Sequence, residues 1–177
     1  LDPFTGTGTF ISRLLQSGLI PPKKLTYKYK NEIHANELVL LAYYIAAINI
    51  EAVYHSQIID DYTPFEGICL TDTFQMYEKE DLVDQVLVDN SARRKRQKSL
   101  DIQVIIGNPP YSGESANKGD WIMSLMEDYK KEPGGKEKLK EKNSKWINDD
   151  YVKFLRYGQH FIEKNGSGVL AFINPHG

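Results

Sequence analysis

Asp101 to Tyr111, DIQVIIGNPPY, is the stretch that most limits what this chain can fold into. Val104, Ile105 and Ile106 form an apolar, β-branched run that suits a strand. Pro109 and Pro110 then remove two backbone donors and fix two φ angles. Asn108 is pushed out of the helical region by the proline that follows it. No helix passes this point and no central strand continues through it. The strand must end in a stiff, polar, aromatic corner.

Other short apolar runs alternate with helical patterns along the chain. The spacing predicts a helix over Thr9–Leu19, a strand at Ile33–Ala35, a helix over Leu38–Ile50 and a strand at Gly67–Leu70. After the Asp101–Gly107 strand come an amphipathic helix over Tyr151–Lys164, closed by Asn165-Gly166, and a last strand at Val169–Ile173. Leu38–Ile50 is apolar on nearly every side, which predicts a buried helix. Pro21-Pro22 with the Lys/Tyr-rich run after it reads as a loop. Arg93–Lys98, RRKRQK, reads as a solvated charged loop at the sheet edge away from the site. Residues 112–150 are polar and lysine-rich, an insertion or functional loop too long for an ordinary connection. Its Trp121 and Trp146 make it a candidate DNA-facing segment, whereas Asp128-x-Lys130 reads as surface charge and Asp149-Asp150 as a helix cap. Short apolar strands alternating with helices imply an α/β fold with a mostly parallel sheet covered on both faces.

Composition excludes several classes. At 177 residues and 41% hydrophobic, the chain is long enough for one domain with a real core. A net charge of −2 means that any nucleic-acid surface is local. One cysteine permits neither an internal disulfide nor a multi-cysteine zinc site, and the four histidines lack ligand spacing, so no metal is expected. Cys69, in an apolar run, reads as a buried inert thiol. With no signal peptide and no spanning segment, the cytoplasm is the expected compartment, and no membrane partner is expected. The chain opens directly on a glycine motif and stops just after an apolar strand. We therefore expect residues 1–177 to be a catalytic core truncated at both ends.

The unusual residues fall just after strand candidates, where ligands sit in parallel sheets. DPFTGTGTF places Gly6 and Gly8 before a helix, letting backbone approach a ligand at free N–H groups. The third glycine of a dinucleotide fingerprint is replaced by Ile11, and no Lys-Ser/Thr pair makes a triphosphate loop. Asp2 suits the ammonium of a methionine-type ligand, although a plain strand–helix turn explains the motif as well. Glu37 suits two ribose hydroxyls, or equally a helix N-terminus. Asp72 with Phe74 suits an adenine ring, or an ordinary turn.

The corner suits one chemistry in particular. An exocyclic amino group is a poor nucleophile because its lone pair is delocalised into the ring. Two acceptors placed on its N–H groups draw the nitrogen toward a tetrahedral form. Asn108 offers a side-chain carbonyl, Pro109 a rigidly held backbone carbonyl, and Tyr111 a face for an extruded base. A glutamine side-chain amide would be activated by the same means. A cofactor- or DNA-binding module, inactive as an isolated fragment, is the non-enzymatic alternative.

Taken together, DPFTGTGTF, HANELVLLAYYIAAINI and GNPPYSGESANKGDW resemble amino-group (adenine-specific) DNA methyltransferase domains of large single-chain restriction–modification enzymes. The resemblance covers nearly the whole chain. It implies a Rossmann-like methyltransferase fold, S-adenosylmethionine as cofactor and double-stranded DNA with a flipped adenine as substrate. It also implies nuclease, helicase and target-recognition parts in the parent polypeptide. By resemblance, Asp2, Phe4, Gly6, Gly8, Glu37, Asp72 and Phe74 match cofactor positions. Asn108, Pro109, Pro110 and Tyr111 match catalytic ones.

Overall fold

The computed structural model describes residues 1–78, 88–110, 115–140 and 147–173. Among the described residues, four strands form two parallel pairs. β1 (Ala35–Glu37) pairs with β2 (Ile68–Leu70), and β3 (Val104–Gly107) pairs with β4 (Val169–Phe172). The extended residues Leu1 and Asp2 lie between the pairs. Asp2 donates to His34 O at 2.9 Å and accepts from Asn36 N at 2.9 Å, a parallel bridge to Ala35. Leu1 donates to Val104 O at 2.8 Å and accepts from Ile106 N at 3.0 Å, the parallel pattern again. The resulting order is β2, β1, Leu1-Asp2, β3, β4, with every pairing parallel, as the alternation of strands and helices implies.

Two cores grow from this sheet. On the β1–β2 half, α1 (Thr9–Gln16), α2 (Pro22–Asn31) and α3 (Leu40–His55) bury Ile11, Leu15, Tyr29, Ala46, Ile50 and Tyr54. On the β3–β4 half, α5 (Asp120–Met126) and α6 (Asp150–Asn165) bury Ile122, Phe154, Tyr157 and Phe161 against Ile105. α4 (Val88–Lys98) packs beside β2, at the outer edge of the sheet. Asp149 caps α6 by accepting from Tyr151 N at 2.8 Å, and Gly166 ends it in the left-handed conformation, φ 75°. No helix among the described residues is long and apolar enough to cross a membrane.

Several expectations need correction. The Pro21-Pro22 segment is helix α2, because Pro22 stands in the first turn, where its missing N–H costs nothing. Leu25 and Tyr29, four apart, then give that helix a buried face. α3 is buried on one side only: Tyr43, Ala46, Ile50 and Tyr54 face the core, while Leu41, Tyr44 and Ile48 are exposed. Arg93–Lys98 is the end of helix α4, whose polar residues Asn90, Arg94 and Gln97 are buried at helical spacing. Residues 112–150 are not all loop, since α5 carries the fully buried Ile122 and Met126. Trp121 is partly buried and stacks on Tyr77 at 4.4 Å, whereas Asp128 is mostly exposed surface charge, accepting from Arg156 at 2.8 Å. Trp146 lies outside the described residues.

Asn90 shows why α4 needs buried polar groups. Its Oδ1 accepts from Leu70 N at 2.8 Å and its Nδ2 donates to Leu70 O at 2.9 Å. One side chain thus satisfies both backbone groups of the β2 edge, two residues before Asp72, so α4 supports the ligand-facing end of the sheet. Replacing it by an apolar residue leaves a part-buried N–H and C=O unpaired, at about 1–3 kcal/mol each. Asn90→Leu is expected to lower the unfolding free energy by about 2–6 kcal/mol, measured by denaturant titration.

Candidate active site

A cavity of about 390 Å³ opens where the chain leaves the carboxyl ends of the strands. Each wall comes from a different strand exit. Phe4 and Gly6 follow the central Leu1-Asp2 segment. Glu37 closes β1, Asp72 and Phe74 follow β2, and Asn108 and Pro110 follow β3. Seven of the residues singled out in the sequence therefore share one wall. Its volume is that of a small-molecule site.

The glycine loop is shaped by left-handed backbone, φ 56° at Gly6 and 86° at Gly8. The two glycines do different things. Gly6 lines the cavity, and its N–H donates to Glu37 Oε2 at 2.8 Å. Gly8 stands against α3, where a Cβ would come within 3.2 Å of Ala46 O and 3.1 Å of Ile50. Glu37 also accepts from Val39 N at 2.7 Å through Oε1. Its carboxylate thus ties the glycine loop to the start of α3 and keeps a lone pair on each oxygen for a ligand. Asp72 accepts from Phe74 N at 2.8 Å, which starts the following turn.

Asp2 and Pro109 are buried beneath the wall rather than on it. Asp2 accepts from Phe4 N at 3.1 Å through Oδ1, while its buried Oδ2 has no partner among the described residues. Burial raises the Asp2 carboxyl to about 6, the Phe4 amide opposing the shift. Gly107 makes room for this arrangement, since a Cβ there would meet Phe4 at 3.2 Å and Asp2 Oδ1 at 3.4 Å. Tyr111 lies outside the described residues. Cys69 is buried, and burial pushes its thiol up to about 11.

Several contributors, Phe154, Asn36 and Thr73 among them, were not singled out from the sequence. Phe154 of α6 lines the cavity, stacks on Phe74 at 4.8 Å and meets Phe4 edge-on at 4.2 Å, so these three rings form its floor. Asn36 borders the cavity fully buried, with neither side-chain amide atom paired among the described residues. Thr73 donates to Pro3 O at 2.6 Å and fixes the turn after β2 to the glycine loop. Among the lining residues Glu37 and Asp72 are acidic and none is Lys or Arg. That wall suits a ligand that carries positive charge, hydroxyls and a flat ring. Glu37 and Asp72 are placed to accept from hydroxyl and amino donors of such a ligand above the aromatic floor.

Residues 22–177 match the model of the Eco57I restriction-modification methylase family. The chain is 38% identical to a nuclease-deletion mutant of the Type ISP restriction-modification enzyme LlaGI, solved with a DNA substrate mimic. That match covers 97% of this chain and 15% of that one, with a TM-score of 0.79. It is 35% identical to DrdV in a DNA complex (97% and 16% covered, TM-score 0.76). It is 37% identical to the ATP-dependent Type ISP enzyme LlaBIII bound to DNA (91% and 12%, 0.75). The chain thus spans about 12–16% of the length of these structures. No curated protein sequence matches it.

The buried carboxyl of Asp2 makes a pH-dependent prediction. Its folded pKa, about 6, lies above its ordinary value of 3.8. Above pH 6 the carboxylate is ionised in both folded and unfolded chains, and its burial cost is fully present. As pH falls from 6 toward 3.8 the folded state takes up the proton first and the cost disappears. Asp2→Asn, which never ionises, is expected to stabilise the fold by roughly 3 kcal/mol at about pH 8, from about two pKa units. The gain should vanish near about pH 4, as read by thermal unfolding across that range.

Proposed function

Because this chain belongs to the Eco57I restriction-modification methylase family, we propose that it is the catalytic part of a DNA adenine methyltransferase using S-adenosylmethionine. The observation that carries this reading is the convergence of Gly6, Glu37, Asp72, Phe74, Asn108 and Pro110 on one cavity. The cofactor, when bound, supplies a methyl group activated by a sulfonium. Everything else is positioning by this chain's own residues.

Asn108 and the Pro109 carbonyl accept the two hydrogens of the adenine amino group. The lone pair is thereby withdrawn from the ring and turned toward the methyl donor. The stiffness of Pro109 and Pro110 holds both acceptors in place before the reaction, so little reorganisation is needed. Tyr111 stacks on the flipped base. Glu37, Gly6 and Asp72 orient the cofactor, and the aromatic floor of Phe4, Phe74 and Phe154 excludes water. The amino proton leaves to solvent after methyl transfer.

Double-stranded DNA is the proposed partner, and the DNA held by the three similar structures supports it. The much greater length of those structures supports further nuclease, helicase and target-recognition parts in a parent polypeptide. We place the enzyme in the cytoplasm, with its DNA and cofactor.

The test is tritiated methyl transfer from S-adenosylmethionine to unmethylated bacterial genomic DNA. Asn108→Ala is expected to lower transfer by about a hundredfold to a thousandfold, the scale of losing one preorganised hydrogen-bonding group. Cofactor affinity by calorimetry should stay within a few-fold. Transfer retained in the variant would remove Asn108 from the mechanism. Labelling of protein in place of DNA would favour a glutamine-amide acceptor.

A further inference from the structure

The acceptor side of the cavity has a second amide. Asn117 lines it together with Asn108 and Pro110, nine residues beyond Asn108 at the β3 exit. Asn117 lies in the segment just before α5, with no regular element of its own. It is nonetheless held from two directions by α6. Its Nδ2 donates to Asp150 Oδ2 at 2.9 Å, and its backbone carbonyl accepts from Lys153 Nζ. Ser115 completes the clamp, donating to Asp150 Oδ1 at 2.5 Å and accepting from Lys153 Nζ.

Both charged members are buried, Lys153 1% exposed and Asp150 6% exposed. Burying a lysine and an aspartate costs several kcal/mol of desolvation per ion before their attraction offsets it. Their Nζ–Oδ1 separation is 3.7 Å, so the pair is knit mainly through Ser115 and Asn117. Apolar residues would pin a surface loop at lower cost. Here the buried pair fixes the orientation of one amide on the wall. One Nδ2 hydrogen is committed to Asp150. The other Nδ2 hydrogen, which makes no hydrogen bond among the described residues, leaves Asn117 a donor on the cavity wall. With both amino hydrogens of the adenine taken by Asn108 and Pro109, the edge of the base still presents ring nitrogens as acceptors, which such a donor complements.

We propose that Asn117 contacts the edge of the acceptor base, and that Asp150 and Lys153 are positioning residues acting through it. The inference rests on the methyltransferase reading and adds a specificity contact to it. Asn117 is on the β3 side of the site, whereas Glu37 and Asp72 are on the β1–β2 side, so its loss should be felt by DNA and not by the cofactor.

The experiment is a double-mutant cycle with Asn117→Ala and Asp150→Asn in the methyltransferase carrying this chain. Its readouts are kcat/KM for unmethylated genomic DNA, the Kd for S-adenosylmethionine and the unfolding midpoint. Asn117→Ala is expected to reduce kcat/KM for DNA about tenfold with cofactor Kd within twofold. Asp150→Asn should reduce it in the same direction, and the double variant should be no worse than Asn117→Ala alone, as expected when one residue acts through another. The inference is overturned by unchanged kcat/KM in Asn117→Ala, by losses that add, or by a weaker cofactor with DNA kinetics intact. If Asp150→Asn fails to fold, Asn117→Ala alone decides, since Asn117 is only partly buried and outside both cores. Wild-type enzyme that transfers no methyl group to DNA overturns the proposed function itself, a result distinct from failure of the Asn117 contact.

Discussion

The fold depends on four backbone hydrogen bonds made by two residues. Leu1 and Asp2 are the only backbone between β1 and β3 among the described residues, and their N–H and C=O groups join both pairs into one parallel sheet. The chain goes from this segment to one side through β1 and β2, and to the other through β3 and β4. That reversal opens a crevice at the carboxyl ends of the central strands, where α/β sheets bind ligands. This geometry brings the cavity-lining residues together. Glu37 and Asp72 approach from one side of the crevice, Asn108 and Asn117 from the other, and the glycine loop fills the middle.

Much of the crevice is legible in the sequence because its residues break local rules. The two prolines after Ile106, the glycines before Phe10 and the carboxylate after Asn36 each end a regular pattern, so each marks a strand exit. What is not legible follows from tertiary context. Pro22 and the lysines after it look like a loop until the helix is seen to start at the proline. Arg93–Lys98 looks solvated because its buried partner, the edge of β2, is distant in sequence. α3 looks buried all round, since a run of apolar residues does not show which face meets the sheet. Phe154 cannot be found by pattern, because it occupies an ordinary apolar position of an amphipathic helix and only stacking on Phe74 brings it to the cavity. Asn36 and Asn117 are plain asparagines whose meaning comes from burial and partners.

Several of the polar groups that this chain buries lie around the crevice. Asp2 carries a carboxylate oxygen without a partner among the described residues, Asn36 an unpaired amide, and Asp150 with Lys153 a desolvated ion pair. Each reduces stability in a chain whose cores are otherwise aromatic and aliphatic. Their clustering beside one cavity fits a molecule that gives up stability where ligands bind and regains it in the cores of Tyr29, Tyr54 and Tyr157.

The central claim is that the stiff corner at Asn108–Pro110 activates an adenine amino group on DNA. Nucleoside mass spectrometry of unmethylated genomic DNA, incubated with the enzyme and S-adenosylmethionine, tests it most directly. The account predicts N6-methyladenine as the methylated product. DNA free of new N6-methyladenine, with the methyl group recovered instead on cytosine or on a protein glutamine, would contradict it.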